Sequence, residues 1–358
     1  EGRKMQAGAV GMSIGLLYAP GCYADREELV ELAKTAAKYG GILNCHMRAE
    51  GDSLLESMNE VFDIAEAADI PIHISHLKLI GVKNWGNIHR ALDLIEAKRA
   101  KGLDITCDIY TYTAGSSTLM SVLPAWVVEG GVDKAIARMR DRDNRERIKR
   151  EMAGTAPGWD NFVAMLGWDR VVVAAVNSEA NKELEGLHFL EIAERRKQDP
   201  CECLMDLLIE EKGQATMILH QMSEADLIAV LKSDYAMVGS DGLPLPADKI
   251  HPRHFGTFPR MIRKYVREEK IMSLEQAVRK MTSYPARRFG FKSRGYIRPG
   301  DYADIVVFHE QELRDTATFE HPRQYPEGIL YVMVNGRLVA QGRRATGELP
   351  GRFVRVHE

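Results

Sequence analysis

The strongest constraint on the fold is a strand–helix alternation that runs unbroken through the first 112 residues. Residues 9–18 (AVGMSIGLLY) read as an apolar strand, and 24–39 carry apolar positions at helical spacing with Asp25 as the N-cap. A short strand GILNCHM (41–47) follows, then a helix over 52–69 with Asp52 at its start. After it come a strand IPIHISHLK (70–78), a helix over 87–102 and a strand DITCDIYTY (104–112). Such alternation predicts a parallel sheet covered by helices. A doubly wound sheet would bind ligands at the strand C-termini beside a glycine-rich phosphate loop, and the sequence has none. A (β/α)8 barrel places its site at the same strand ends without that loop.

The pattern then changes twice. Over about 118–168, PAWVVEGG and a charged helix at 132–153 read as an insertion packed over the barrel mouth. The alternation resumes with RVVVAAV (170–176), a helix over 202–212, MILHQM (217–222), a helix over 223–233, AMVGSDGLP (236–244) and a helical stretch over 257–288. The tail carries short strands, with an Asn335-Gly336 turn, and reads as a small β domain. The expected division is a TIM-barrel catalytic domain over 1–290, containing the insertion, and a small β-sandwich portion over 291–358.

A net charge of −3 and no basic stripe point away from nucleic acid and from a membrane surface. The longest apolar runs are too short to span a bilayer. Five scattered cysteines (Cys22, Cys45, Cys107, Cys201 and Cys203) read as reduced thiols of a cytoplasmic protein, and Cys201-Glu-Cys203 lacks zinc-site spacing. Nothing in the composition speaks to oligomeric state. The chain opens at Glu1 on what reads as the end of a helix entering a strand, so an upstream segment is expected.

The chemistry-bearing residues sit at strand ends. His46 ends one strand, His76 the next, and Asp241 lies in Gly-Ser-Asp-Gly after a later one. Singly, a strand-end histidine is more often a packing residue; two imidazoles and a carboxylate converging from one sheet edge make a first-row metal site. His73, three residues before His76, should face the other way along a regular strand and serve as a buried support. Lys78 on the mouth loop is either solvated or turned to substrate. Arg253 has the fork needed to hold a carboxylate. His220 reads as core, His251 and His254 as loop residues, and Cys45 as facing away from His46.

The segments HMRAEG, HISHLK, GSDG, HPRHFGTFPR, SLEQAVRKMTSYPARRFG and RGYIRPGDYADIVVF resemble the amidohydrolase superfamily, and within it the D-aminoacylases, over nearly the whole chain. The resemblance implies a (β/α)8 barrel, of which strands about 4–8 are present, joined to a small β domain. It makes His46, His76 and Asp241 ligands on the fifth, sixth and eighth strands, with zinc in one tight site and a second, weak site left open. Asp241 would also be the base, with Arg253, Lys78, Tyr18, Tyr110, Tyr112 and Ser116 toward substrate. The family's first-strand His-x-His pair and its ligating cysteine have no counterpart here. The implied reaction is hydrolysis of N-acyl-D-amino acids, small molecules whose D-configuration comes from the resemblance alone. Two alternatives stay open: a cyclic-amide hydrolase of the dihydroorotase or hydantoinase kind, and an inactive barrel that serves as a binding module. The 358-residue chain by itself is expected to be inactive and prone to aggregate.

Overall fold

The computed structural model describes residues 1–154, 159–243 and 248–355. Among them, strands fall into three sheets. β1 (Gly11–Gly15), β2 (Ile42–His46), β3 (Ile72–Ile74) and β4 (Ile105–Ile109) pair in parallel, each with the next. β5 (Ala114–Thr118), β6 (Val171–Ala175) and β7 (Thr216–His220) form a separate antiparallel sheet in the order β5-β7-β6. β8 (Ala236–Val238) returns to the first sheet beside β4, in parallel. β9 (Ile305–Phe308), β10 (Ile329–Val334), β11 (Arg337–Gln341) and β12 (Arg344–Ala345) make a small antiparallel sheet in the tail. The class is α/β, and the parallel sheet holds five strands, as many as strands four to eight of a barrel require.

Alternation along each parallel strand sorts its residues. Leu43 and Cys45, Ile72 and Ile74, and Ile105, Cys107 and Ile109 are buried in one core with Met58, Val61, Phe62, Ile95 and Leu231 from the covering helices. Phe62 has no exposure, so Phe62→Ala should cost about 3–5 kcal/mol. The other face of the sheet is polar. Asn44 accepts from Ser75 Oγ at 2.9 Å, and His73 lies 2.8 Å from both Thr106 Oγ1 and Asp108 Oδ2. The sheet's parallel register thereby sets the polar site. Close strand approach requires Gly11, where a Cβ would lie 2.0 Å from the Ile42 carbonyl oxygen.

Asp25 caps the helix Arg26–Ala37 by accepting from Glu28 N at 2.8 Å. Asp52 does not cap its helix, which begins at Leu54 after Ser53; its carboxylate meets Lys83 and Asn84 instead. The stretch 132–153 is two helices, Val132–Arg140 and Arg142–Met152, divided at Asp141, whose side chain caps the second. The larger correction concerns RVVVAAV and MILHQM. They are β6 and β7, and both pair antiparallel outside the barrel sheet, with Thr118 opposite Thr216 and Val172 opposite Ile218. An apolar run shows that a strand is buried and not which sheet buries it. These strands have a core of their own, in which Leu119, Val127, Ile148, Val171, Val173, Phe189, Leu204 and Met217 are buried together.

In the tail, Asn335 (φ 48°) and Gly336 (φ 77°) turn β10 into β11, as an Asn-Gly pair should, with Val334 opposite Arg337. Arg263 anchors this part to the helical region through Asp315 at 2.6 Å, aided by Arg267 on the Leu313 carbonyl. Among the described residues, no helix is long and apolar enough to cross a membrane.

Candidate metal centre and substrate cavity

The C-terminal ends of β1 to β4, the turn after β8 and the antiparallel sheet enclose a cavity of about 560 Å³. Tyr18, His46, His76, Lys78, Tyr110, Ser116, Asp241 and Arg253 all line it, together with Glu50.

His46 is the last residue of β2 and lies on its polar face. β3 stops at Ile74, and the chain turns through His76, whose backbone takes φ +39°. That left-handed conformation is uncommon for a side chain larger than glycine and needs outside support. Asp108 of β4 supplies it: its Oδ1 accepts from His76 N at 2.7 Å and its carbonyl accepts from Leu77 N at 2.8 Å. His73, buried behind His76, reaches the same carboxylate through Nε2. The alternation that separates His73 from His76 thus ends at Ile74, and one carboxylate holds both.

The turn brings His76 Nε2 to 2.9 Å from His46 Nδ1. On the far side of the ring, His76 Nδ1 lies 3.1 Å from Glu50 Oε1 and 2.8 Å from Lys78 Nζ, which itself donates to Glu50 at 2.5 Å. Among the described residues, His46, Glu50 and His76 are the group of potential ligands whose donor atoms gather within 4.8 Å, and Asp241 is not part of it. Burial pushes the pKa of His46 down to about 3, so its imidazole is neutral and a lone pair is available. Burial alone would raise the Glu50 carboxyl, but Lys78, His46 and His76 around it hold it below its usual range. Burial would likewise lower the Lys78 ammonium, and Glu50, Tyr110 and Asp241 together more than reverse that.

This donor set fits a borderline divalent cation. Two ligand bonds of about 2.0–2.1 Å at a tetrahedral angle separate the nitrogens by about 3.3 Å, so the two rings need part by only a few tenths of an ångström.

The carboxylate of Asp241 (φ +47°) is engaged elsewhere, at 2.8 Å from Arg253 Nη1. Arg253 is 3% exposed, its Nη2 reaches the Ser116 carbonyl at 3.3 Å and its guanidinium lies 4.7 Å from the Tyr110 ring centre. His251 lies in the loop before the helix Arg253–Arg260 and is fully buried there: its Nδ1 accepts from Arg253 N at 2.9 Å and its Nε2 meets the Ala114 carbonyl. Tyr18 packs at a tilt against His46, ring centres 4.8 Å apart, and joins Ser117 Oγ at 3.0 Å. Tyr112 does not line the cavity. The chain leaves β4 at Ile109, and Tyr112 turns instead beneath Arg260 and against His251 and Phe319. His220 packs on Phe319, also away from the cavity. Glu50 and Asp108 escape a reading of the sequence. The available signals are a carboxylate four residues after His46 and one two residues before Tyr110 on the same strand face.

A family model described as the amidohydrolase family matches residues 2–340. A D-aminoacylase of Alcaligenes xylosoxydans xylosoxydans is 34% identical over 354 residues, 98% of this chain and 62% of that protein. A solved D-aminoacylase structure concerned with its binuclear metal centre superposes with a TM-score of 0.80 at 33% identity, over 99% of this chain and 64% of that one. The N-acyl-D-glutamate deacylase of Bordetella bronchiseptica, complexed with zinc and a phosphonate mimic of the tetrahedral intermediate, superposes with a TM-score of 0.78 at 32% identity, over 96% and 63%. The chain therefore spans a little under two thirds of the length of these relatives. The barrel sheet, the small second sheet and the family match over almost the whole sequence agree: the chain belongs to the amidohydrolase family.

Proposed function

We propose that this chain carries the metal-binding and substrate-recognising part of a cytoplasmic enzyme that hydrolyses N-acyl-D-amino acids to a carboxylate and a free D-amino acid. The observation that carries the reading is the convergence of His46, His76, Lys78, Asp241 and Arg253 on one cavity. The D-configuration rests on the names of the relatives, and zinc on the Bordetella deacylase. His46 Nδ1 and His76 Nε2 would hold the tight ion, with a second, weaker site beside it. When bound, the ion supplies Lewis acidity, polarising the acyl carbonyl and lowering the pKa of a water to about 7.

The remaining steps belong to the chain. The Arg253 fork, held over Tyr110 and by the Ser116 carbonyl, takes the substrate α-carboxylate. That carboxylate competes with Asp241 for the same guanidinium and so releases Asp241 from its ion pair. Asp241 is then free to serve as a ligand and to accept a proton from the attacking water and return it to the leaving amine nitrogen. Lys78 adds positive charge that favours an anionic substrate, while Tyr18, Tyr110 and Ser116 shape the wall. Tyr112, outside the cavity, has no substrate-binding part in this reading.

The test uses the longest natural polypeptide that contains this chain. It should cleave N-acetyl-D-methionine and spare both the L-isomer and hydantoin. Asp241→Asn should lower turnover by about 10²–10⁴-fold, the usual worth of a general base, while tight zinc is kept. Hydantoin cleavage with the D-amide untouched would refute the substrate assignment.

A further inference from the structure

His76 Nδ1, the ring nitrogen turned away from His46, has two neighbours of opposite character. Lys78 Nζ lies at 2.8 Å and Glu50 Oε1 at 3.1 Å. An ammonium can only donate a hydrogen bond and an ionised carboxylate can only accept one. Nδ1 therefore finds a partner in either tautomer. When bare, it accepts from Lys78; the ring proton then sits on Nε2 and can be donated to His46 Nδ1. When protonated, it donates to Glu50, and Nε2 is left bare, as a cation ligand must be. Lys78 gives up little in that exchange, because Glu50 Oε1 and the His76 carbonyl at 3.1 Å still accept from it.

Glu50 is itself held from outside the barrel. Asp160, on the inserted segment, accepts from Glu50 N at 2.5 Å and from Gly51 N at 2.9 Å through one oxygen, Oδ2. On the other side, the Glu50 carbonyl accepts from Ile80 N at 2.8 Å. Gly51 permits this approach: a Cβ there would lie 2.8 Å from Asp160 Oδ1 and 2.7 Å from Met165 Sδ. Glu50 and Asp160 are 2% and 4% exposed, so water does not substitute for these contacts.

We propose that Glu50 is a positioning residue that selects the metal-accepting tautomer of His76, and that Asp160 holds Glu50 in place for that task. The inserted segment then belongs to the metal-binding apparatus as well as roofing the cavity. The inference rests on the metal-dependent reading above, yet its first readout needs neither metal nor turnover.

The experiment takes the longest natural polypeptide that contains this chain, metal-free and labelled with ¹⁵N-histidine, reads the His76 tautomer by NMR, and then measures zinc affinity by chelator competition. In Glu50→Gln the obligate acceptor becomes a group that also donates, so the share of Nε2–H should rise. Zinc affinity should fall by about 10–100-fold, the usual effect of losing such an outer partner. Asp160→Ala should move both readouts the same way. Asp160→Asn keeps an oxygen able to accept from both backbone N–H groups and should restore them. Circular dichroism checks that each variant is folded. A wild-type tautomer ratio in folded Glu50→Gln, or equal damage from Asp160→Asn and Asp160→Ala, overturns the proposal. If the tautomer shifts as expected and no form binds zinc, the inference about Glu50 stands and the metal-dependent function is what fails.

Discussion

Removing the Asp108 carboxylate should unfasten the turn that aims His76. Its Oδ1 accepts from His76 N and its Oδ2 pairs with His73 Nε2, and both histidines are buried, at 7% and 1% exposure. Asp108→Ala leaves two buried polar groups without partners, at about 1–3 kcal/mol each. Relaxing the φ +39° backbone of His76 recovers part of that, because such conformations cost about 1–3 kcal/mol, but it swings the imidazole away from His46. The expected net loss of stability is about 2–5 kcal/mol, with weaker zinc binding alongside. Asp108→Asn is the control. Its oxygen can serve His76 N and its amide can donate to His73 Nε2, provided His73 moves its proton to Nδ1, where Thr106 Oγ1 accepts it. That variant should lose less than about 1.5 kcal/mol. Urea unfolding midpoints and chelator competition measure both quantities. A loss below about 0.5 kcal/mol in Asp108→Ala, the range of an ordinary surface change, would refute the idea that this carboxylate holds the turn.

Arg253→Lys keeps the charge and loses the fork, so kcat/KM for a free-acid substrate should drop about 10–100-fold, while its primary amide changes little. An equal drop for acid and amide would mean that Arg253 does not read the carboxylate. Lys280 is 5% exposed, donates to the Ser233 and Ala236 carbonyls, and has its pKa lowered by burial to about 8. Between pH 8 and 10.5 the unfolded chain binds the proton that the folded chain has released, so this residue's contribution to stability rises with pH, by at most about 3 kcal/mol. The unfolding free energy of the wild type, less that of Lys280→Met, should therefore climb from pH 7 to pH 10; a flat difference contradicts the assigned shift.

What the sequence shows of this protein follows from what periodicity can report. The parallel strands and their helices are legible because alternation within about 10–15 residues encodes them, and the place of His46, His76 and Asp241 on one cavity wall follows from their positions after strand ends. Glu50 is not legible in this way. It lies in a loop, where no period marks a side chain as buried, and its importance arises from contacts with Lys78, 28 residues away, and Asp160, 110 residues away. β6 and β7 were misleading for a related reason. Val172 pairs with Ile218, and a local pattern carries no information about a partner so distant. Tyr112 shares the parity of Tyr110, but parity holds only while the strand lasts, and β4 ends at Ile109.

The central claim is that His46 and His76 hold a metal ion, and metal analysis after exhaustive dialysis against zinc-free buffer tests it most directly. About one tightly held zinc per polypeptide is expected, with its loss in both His46→Ala and His76→Ala and the helical circular dichroism signal unchanged. Full zinc retained in both variants would contradict it.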